Sequence, residues 1–194
     1  MEKRLKDLKE HYIVCGYGRM GKIIARELHQ EKLPFAIIEK SEVIVDPDEK
    51  DTQLILQGDA TRDELLKRAG IERAKCLISV LPTDAENLYV VLSARGLNTN
   101  LLIVARAGEE GSEQKLLRAG ADRVVSPYNI GGLRMAHTVL KPAVVDFIEY
   151  ATKSGHIDLQ IEEISIQKGS GFAGNTLDQC GIGLINAGSE GNLA

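Results

Sequence analysis

The chain has 194 residues, of which 43% are hydrophobic, 27% charged and only 4% aromatic, and its net charge at neutral pH is −4. This length predicts one domain, or one domain and a fragment, with a core that needs no disulfide or metal. The scarcity of aromatic residues and the slight negative charge disfavour a nucleic-acid-binding protein.

The sequence also predicts a soluble, cytoplasmic chain. No segment approaches the roughly 18–20 apolar residues that span a bilayer. The charged opening MEKRLKDLKEHY does not fit a signal peptide. An odd number of widely spaced cysteines indicates reduced thiols rather than a disulfide framework. These cysteines are Cys15, Cys76 and Cys180.

Six short apolar runs recur along residues 11–127, and they are near-continuous rather than alternating. Such runs are typical of strands buried on both faces of a parallel sheet. Because helical patterns lie between them, we predict an α/β fold with a Rossmann-like, doubly wound parallel sheet. The predicted strands are Tyr12–Cys15, Phe35–Glu39, Leu54–Leu56, Cys76–Leu81, Leu101–Ala105 and Arg123–Val125.

The predicted helices carry start and stop signals. Thr61 with Glu64, and Thr83 with Glu86, have the spacing of a capping box. A helix over residues 41–50 is weak because it contains a proline. Three glycines are placed to end helices: Gly70, Gly96 and Gly120.

The pattern changes after residue 127. Residues 129–140 have helical periodicity, Lys141-Pro142 interrupts it, and residues 143–151 resume it with an apolar side that includes Phe147. This helix pair either packs on its own domain or forms a symmetric dimer contact. Alternation from Ile157 onward predicts the first strands of a small β-containing lobe.

The strongest functional signal is a glycine-rich turn between the first strand and the next helix. Its spacing, GxGxxG, is typical of a dinucleotide-binding turn: the glycines permit a tight turn, close approach of the backbone to a phosphate, and close packing of helix on strand. Free N–H groups at the helix start would face the anion. The residues are Gly16, Tyr17, Gly18, Arg19, Met20 and Gly21.

Two charged positions refine the expected ligand. Glu39 ends the second strand, where a carboxylate either accepts hydrogen bonds from an adenosine ribose or is simply solvated. It disfavours a 2′-phosphate, although the adjacent Lys40 weakens that argument. Arg19, a cation at the unfavourable end of a helix dipole, either contacts a phosphate or forms a surface salt bridge.

Further candidates follow other strands, because strand carboxyl ends line the ligand crevice of such sheets. Asp59 could meet the adenine side, and Arg106 could meet a phosphate or the adenine. The full set at these strand ends is Gly58, Asp59, Ala60, Ser79, Leu81 and Arg106.

The residues do not predict catalysis. The four histidines are scattered, no cysteine or histidine pair has metal-ligand spacing, and no nucleophile-base set stands out. A dehydrogenase also needs a substrate domain and a proton-transfer group. We therefore predict a protein that is not an enzyme. The alternative is a small NAD(P)-dependent oxidoreductase whose substrate site is completed by a dimer partner.

Taken together, these motifs resemble an RCK domain, the regulator of K+ conductance family also called KTN or TrkA-N. The resemblance covers about residues 9–155. It rests on an ordered set of segments: GYGRMG (16–21), Glu39, GDAT (58–61), AGIERA (69–74), NLYVVLSAR (87–95), IVARA (103–107) and RAGADRVVSP (118–127).

The resemblance implies a division of the chain and a regulatory role. Residues 1–10 would be a linker, 11–127 a nucleotide-binding lobe, 128–155 a crossover helix pair and 156–194 part of a C-terminal lobe. Residues 130–151 would hold a homodimer, within an octameric gating ring under a potassium channel or transporter pore at the inner face of the membrane. An adenine nucleotide (NAD, NADH, ATP, ADP or AMP) would change the hinge of the dimer.

The resemblance also assigns site residues and shows one departure. The family's nucleotide contacts correspond to Gly16–Met20, Glu39 and Gly58–Ala60, with Arg106 as a further candidate. Calcium-gated members carry acidic residues where this chain has Val80, Arg106 and Gly108. Since calcium prefers oxygen ligands, we predict no calcium at that site. The nearby acidic residues form either a different site or a solvated loop: Glu109, Glu110 and Glu113.

Overall fold

The structure is a computed structural model, and it describes residues 2–42 and 54–145. The chain forms two units, Met1–Pro142 and Ala143–Ala194, and every element given below belongs to the first. Several predictions lie outside the described residues: the weak helix beyond residue 42, Phe147 and the rest of the second crossover helix, Cys180, and the C-terminal lobe.

Six parallel strands form one sheet in the order β3-β2-β1-β4-β5-β6. This confirms the predicted Rossmann-like fold, in which the chain reverses its direction of travel between β1 and β4. The predicted strand bounds are right for three strands and wrong by one or two residues for the others. The strands are β1 Tyr12–Cys15, β2 Phe35–Glu39, β3 Leu54–Gln57, β4 Cys76–Ser79, β5 Leu102–Arg106 and β6 Arg123–Val125.

Within the described residues, helices connect four of the five successive strand pairs and cover both faces of the sheet. Their bounds are α1 Glu2–Asp7, α2 Arg19–Gln30, α3 Asp63–Arg68, α4 Asp84–Leu97, α5 Ser112–Arg118 and α6 Pro127–Leu140, with a 3-10 turn at Ile71–Arg73.

The core lies in two layers, because successive residues of a strand point to opposite faces. In β1, Val14 packs in a cluster with Ala25 and Leu28 of α2. Its neighbours Ile13 and Cys15 pack in the larger cluster, which also contains buried residues of α3, α4 and α5. Both faces of the central strands are therefore buried, as their near-continuous apolar runs indicate.

The two cysteines in the described residues are buried, free thiols, as predicted. Burial raises the pKa of Cys15 to about 12 and that of Cys76 to about 11. Both therefore remain neutral thiols at physiological pH.

The segment expected as a linker contains the short helix α1, which is attached to the lobe. Leu5 is 1% exposed and belongs to the larger core cluster. The Arg73 guanidinium donates to the carbonyl oxygens of Leu8 at 3.2 Å and Leu5 at 3.4 Å. The chain before β1 is thus fixed at the amino ends of the strands, on the side of the sheet away from the strand carboxyl ends.

One predicted capping box is confirmed and the other is wrong. Thr83 caps α4, accepting a hydrogen bond from the N–H of Glu86 while the Glu86 carboxylate accepts from Thr83. Thr61 does not cap α3, because its hydroxyl donates to Asp59 at 2.7 Å and the helix begins two residues later.

Of the three glycines predicted to end helices, two do so and one does not. Gly70 and Gly120 follow α3 and α5 with positive φ angles of 81° and 111°, the left-handed conformation expected of a helix stop. The prediction for Gly96 is wrong, since α4 runs through it to Leu97. The chain then turns at Asn98, which is in an extended conformation.

The last described helix, α6, has no buried residue. Its apolar side chains are exposed, and the dimer contact, which is one of the two predicted arrangements of the helix pair, remains a prediction. The exposed apolar residues of this helix are Tyr128, Ile130, Leu133, Met135, Val139 and Leu140.

Candidate nucleotide-binding site

A cavity of about 680 Å³ lies at the carboxyl ends of five strands, β1 to β5. It spans the point where β1 and β4 lie side by side, which is where doubly wound sheets bind their ligands. Eleven of the predicted site residues line it: Gly16, Gly18, Arg19, Met20, Glu39, Lys40, Gly58, Asp59, Ala60, Leu81 and Arg106.

Three predicted residues do not line this cavity. Tyr17 contributes its backbone N–H to Glu39, while its ring lies 5.7 Å from the Lys22 ammonium. Gly21 is buried, and a Cβ there would collide with the Gly16 carbonyl oxygen. The Ser79 hydroxyl points into the interior, where it donates to Asn87.

The glycine-rich turn leaves the start of α2 open toward the cavity. Gly16 has a φ of +99°, and a Cβ there would meet the Val80 carbonyl oxygen at 3.0 Å, so a side chain is excluded. Gly18 is the N-cap of α2, which has no side-chain cap and no acidic residue in its first turn. A Cβ at Gly18 would meet no atom within 4 Å. The N–H groups at the start of α2 can therefore bind an anion such as a phosphate.

Glu39 fixes the turn from the neighbouring strand. Its two carboxylate oxygens accept the backbone N–H groups of Tyr17 at 2.6 Å and Ser41 at 2.8 Å. Partial burial raises the pKa of Glu39, but the hydrogen bonds from the surrounding backbone, Ser41 and Tyr17 foremost, lower it by more, so the net pKa lies below its usual value. Each oxygen keeps a lone pair, and the ionised carboxylate can also accept ribose hydroxyls.

Asp59 adds a second carboxylate at this end of the cavity. The side-chain and backbone hydrogen bonds from Thr61, with a smaller contribution from Lys40, lower the pKa of Asp59 to about 2. The Lys40 ammonium lies 3.2 Å from Asp59. Since Lys40 is paired with a carboxylate, and Glu39 carries another, this end of the cavity is unfavourable for the 2′-phosphate of NADP.

Sequence reasoning missed Asn87, which joins the ends of β4 and β5 from within α4. Its Oδ1 accepts the Ser79 hydroxyl at 2.7 Å and the Leu81 N–H at 2.9 Å. Its Nδ2 donates to the carbonyl oxygens of Leu81 and Arg106, both at 3.2 Å. The side chain is fully buried and fully hydrogen-bonded, so it holds the floor of the cavity in place. A lone polar residue in a helical pattern gave no signal of this role.

The other end of the cavity is formed by Arg106 and the first turn of α6. The Arg106 guanidinium donates to the Leu81 carbonyl oxygen at 3.3 Å and lies 5.8 Å from the centre of the Tyr128 ring. Pro127 and Tyr128 both line the cavity. Tyr128 was not predicted, although an aromatic residue directly after the last strand could have been suspected, because it follows a strand carboxyl end.

Within residues 2–42 and 54–145, no cluster of three or more His, Cys, Asp or Glu side chains is arranged to bind a metal ion. Within the same ranges, no helix has the length and apolar character that a membrane crossing requires. Of the positions that are acidic in calcium-gated RCK domains, Val80 and Arg106 line the cavity, and the Gly108 N–H donates to Asp84 at 2.6 Å.

This fold and cavity define a nucleotide-binding class of α/β domain, and comparison with known proteins identifies the family. A family model described as the TrkA-N domain matches residues 12–127. The chain belongs to the TrkA-N domain family, as the resemblance to RCK domains predicts.

Two relatives come from the archaeon Methanocaldococcus jannaschii. "Probable potassium channel protein 2" is 43% identical in an alignment of 189 positions that covers 94% of this chain and 55% of the relative. "Potassium channel protein 1" is 49% identical over 150 residues, 76% of this chain and 45% of the relative. The chain thus spans about half the length of each of these relatives.

Solved structures show the same fold with nucleotides. GsuK bound to ADP superimposes with a TM-score of 0.61 at 33% identity, covering 71% of this chain and 35% of that one. The GsuK channel bound to NAD gives 0.61 at 32%, covering 73% and 24%. The Shewanella denitrificans Kef C-terminal domain in its AMP-bound form gives 0.62 at 25%, covering 74% and 90%.

Proposed function

We propose that this chain is the cytoplasmic, ligand-sensing regulatory part of a potassium transport protein, that it binds an adenine nucleotide or NAD(H), and that it does not turn the ligand over. The observation that carries the proposal is the cavity at the strand carboxyl ends. It brings an open helix start at Gly18 next to the ionised Glu39. That pairing suits a phosphate followed by a ribose.

The proposed division of the chain follows from the resemblance. Residues 1–10 connect to a pore, 11–127 bind the nucleotide, 128–155 hold a homodimer and 156–194 begin a C-terminal lobe. The exposed apolar side chains of α6 support the dimer, since a helix with no buried residue leaves that surface for a partner. Assembly into an octameric ring at the inner face of the membrane, beneath a potassium channel or transporter pore, completes the proposal.

Regulation of this kind requires differential binding. A nucleotide shifts the equilibrium between two arrangements of the dimer only by as much as its affinity for them differs. A site that combines the fixed backbone of Gly16–Gly21 with a contact on α6 can provide such a difference, because α6 also carries the proposed dimer surface. The ligand would act on the hinge of the dimer, and the ring would transmit the change to the pore.

Calorimetry of the full chain with NAD, NADH, ATP, ADP and AMP tests the binding step. The variant Gly18→Asp should fold normally, because a Cβ there meets no atom within 4 Å. It should weaken nucleotide binding roughly tenfold or more, since a carboxylate would occupy the anion site.

Gly96→Asp is the matched control. A Cβ at Gly96 would also meet no atom within 4 Å, but this residue lies on α4 and does not line the cavity. The variant should leave binding unchanged. The proposal fails if no nucleotide binds below the millimolar range and Gly18→Asp changes nothing. Steady nicotinamide turnover with a small carbonyl substrate would favour the oxidoreductase instead.

A further inference from the structure

The cavity is longer than a mononucleotide requires. Glu39 stands at the end of β2 and Arg106 at the end of β5, and the strand order places β1 and β4 between them. Three steps between neighbouring strands, each about 4.8 Å, separate the two residues by roughly 14 Å. The open start of α2 follows β1, only one step from Glu39.

This spacing divides the cavity into two halves. A ribose at Glu39 and a phosphate at Gly18 fill the half of the cavity at the carboxyl ends of β2 and β1. The half above β4 and β5 then remains, lined by Val80, Leu81 and Arg106 and by the first turn of α6. Doubly wound sheets consist of two mononucleotide-binding halves, and the second half lies on this side of the reversal point.

The second half offers chemistry that suits a planar, polar ring. The Tyr128 side chain is 66% exposed, so one face of its ring is open to a stacking partner. Arg106 uses one N–H for the Leu81 carbonyl oxygen and lies beside the Tyr128 ring. A guanidinium has five N–H donors, so others remain for a carbonyl or phosphate oxygen of a ligand.

We propose that Arg106 and Tyr128 recognise the second nucleoside of an adenine dinucleotide, so that a dinucleotide contacts α6 and a mononucleotide does not. This inference rests on the proposed nucleotide site and adds a selectivity to it. AMP and ADP bind at the Glu39 and Gly18 half alone. NAD binds there too, and its second ring stacks on Tyr128.

The location of Tyr128 gives this contact a consequence. It is the second residue of α6, a helix without any buried residue. A ligand that holds Tyr128 therefore holds the end of the helix that carries the exposed apolar surface. Dinucleotides would restrict the direction of α6 relative to the sheet, whereas mononucleotides would leave it as it is without a ligand.

A tryptophan reporter tests the contact, because the chain contains no tryptophan. Tyr128→Trp introduces one at the contact, and Tyr89→Trp introduces one at a control position on α4 that is 63% exposed and does not line the cavity. The full chain is titrated with AMP, ADP and NAD, with fluorescence emission and calorimetry in parallel. ADP is the informative comparison, since it carries the same two phosphates as NAD without the second nucleoside.

We expect all three nucleotides to bind by calorimetry. Only NAD should change the emission of the Tyr128→Trp variant, and none should change that of Tyr89→Trp. Tyr128→Ala and Arg106→Ala should each weaken NAD roughly three- to tenfold, the size of an aromatic or partly exposed polar contact, and leave AMP affinity unchanged. Tyr128→Phe, which keeps the ring, should bind NAD as the unmodified chain does.

Two results would overturn the inference while leaving the nucleotide site intact. One is an equal emission change with ADP and NAD. The other is a Tyr128→Ala variant that loses as much affinity for AMP as for NAD. If no nucleotide binds the unmodified chain by calorimetry, the proposed function itself fails, and the inference fails with it.

Discussion

At the scale of single residues, Glu39 links the shape of the glycine-rich turn to the ligand. Its carboxylate accepts the N–H of Tyr17, inside the turn, and of Ser41, two residues further along the chain. The same oxygens are the proposed ribose acceptors. The turn is therefore held in its binding shape before a ligand arrives, which reduces the entropy lost on binding.

The variant Glu39→Gln should weaken adenine nucleotide binding roughly 10- to 100-fold, because charge-assisted hydrogen bonds contribute about 1.5–3 kcal/mol. The pKa of Glu39 is lowered in the folded protein. The carboxylate's contribution is therefore complete above the usual glutamate range and is lost as the pH falls through that lowered pKa.

Calorimetry at several pH values measures both effects. The difference between Glu39→Gln and the unmodified chain should be largest near neutral pH and should disappear at acidic pH. Glu27→Gln, at an exposed position of α2, is the control and should bind normally. A Glu39→Gln variant with full affinity at neutral pH would remove Glu39 from the site.

Asn87 acts through stability rather than through contact with a ligand. Asn87→Ala removes four hydrogen bonds to buried or partly buried groups of Ser79, Leu81 and Arg106. We expect the free energy of unfolding to fall by about 2–5 kcal/mol. Chemical denaturation measures it, with Asn100→Ala, at an exposed position, as the control that should change little. A loss no larger than that of the control would show that the network is dispensable.

At the scale of elements, the central strands β1, β2 and β4 were predictable because they bury both faces. A near-continuous run such as Tyr12–Cys15 has few alternatives to a central parallel strand. The glycine-rich turn was predictable for a related reason, since strand, turn and helix follow each other directly in the sequence. The bounds of β1 and β2 are therefore correct to the residue.

What could not be predicted depends on contacts between distant segments. Thr61 had the spacing of a cap, yet Asp59 takes its hydroxyl. Ser79 was expected in the cavity, but Asn87, eight residues on, draws it inward. The distance from Arg106 to Tyr128 depends on where α6 starts after the last strand. A periodic pattern contains none of this information.

The helix α6 carries a prediction about assembly. Leu133 is 62% exposed in the middle of an apolar surface with no buried residue. Leu133→Asp should therefore convert the proposed dimer to a monomer in light scattering, because a charge would be desolvated at the contact. Ile23→Asp, at a residue 57% exposed on α2, is the matched control and should remain a dimer. An unchanged dimer for Leu133→Asp would exclude α6 from the interface.

At the scale of the whole molecule, the two functions proposed for the domain, nucleotide binding and dimer formation, lie next to each other at the carboxyl ends of the strands. The cavity extends from Glu39 to Tyr128, and Tyr128 belongs to the helix proposed to join two protomers. Ligand binding and dimer geometry are thus linked through a single element. The chain spans about half the length of its M. jannaschii relatives.

The central claim is that a nucleotide in this cavity changes how two chains associate. The most direct test is the dimer dissociation constant of the full chain, measured by sedimentation with and without saturating NAD. We predict a shift of roughly fivefold or more; because such coupling is reciprocal, the monomer-to-dimer ratios of NAD affinity at the two sites, multiplied together, should equal that shift. The same dimer dissociation constant in both conditions, with NAD shown to be bound, would contradict the claim.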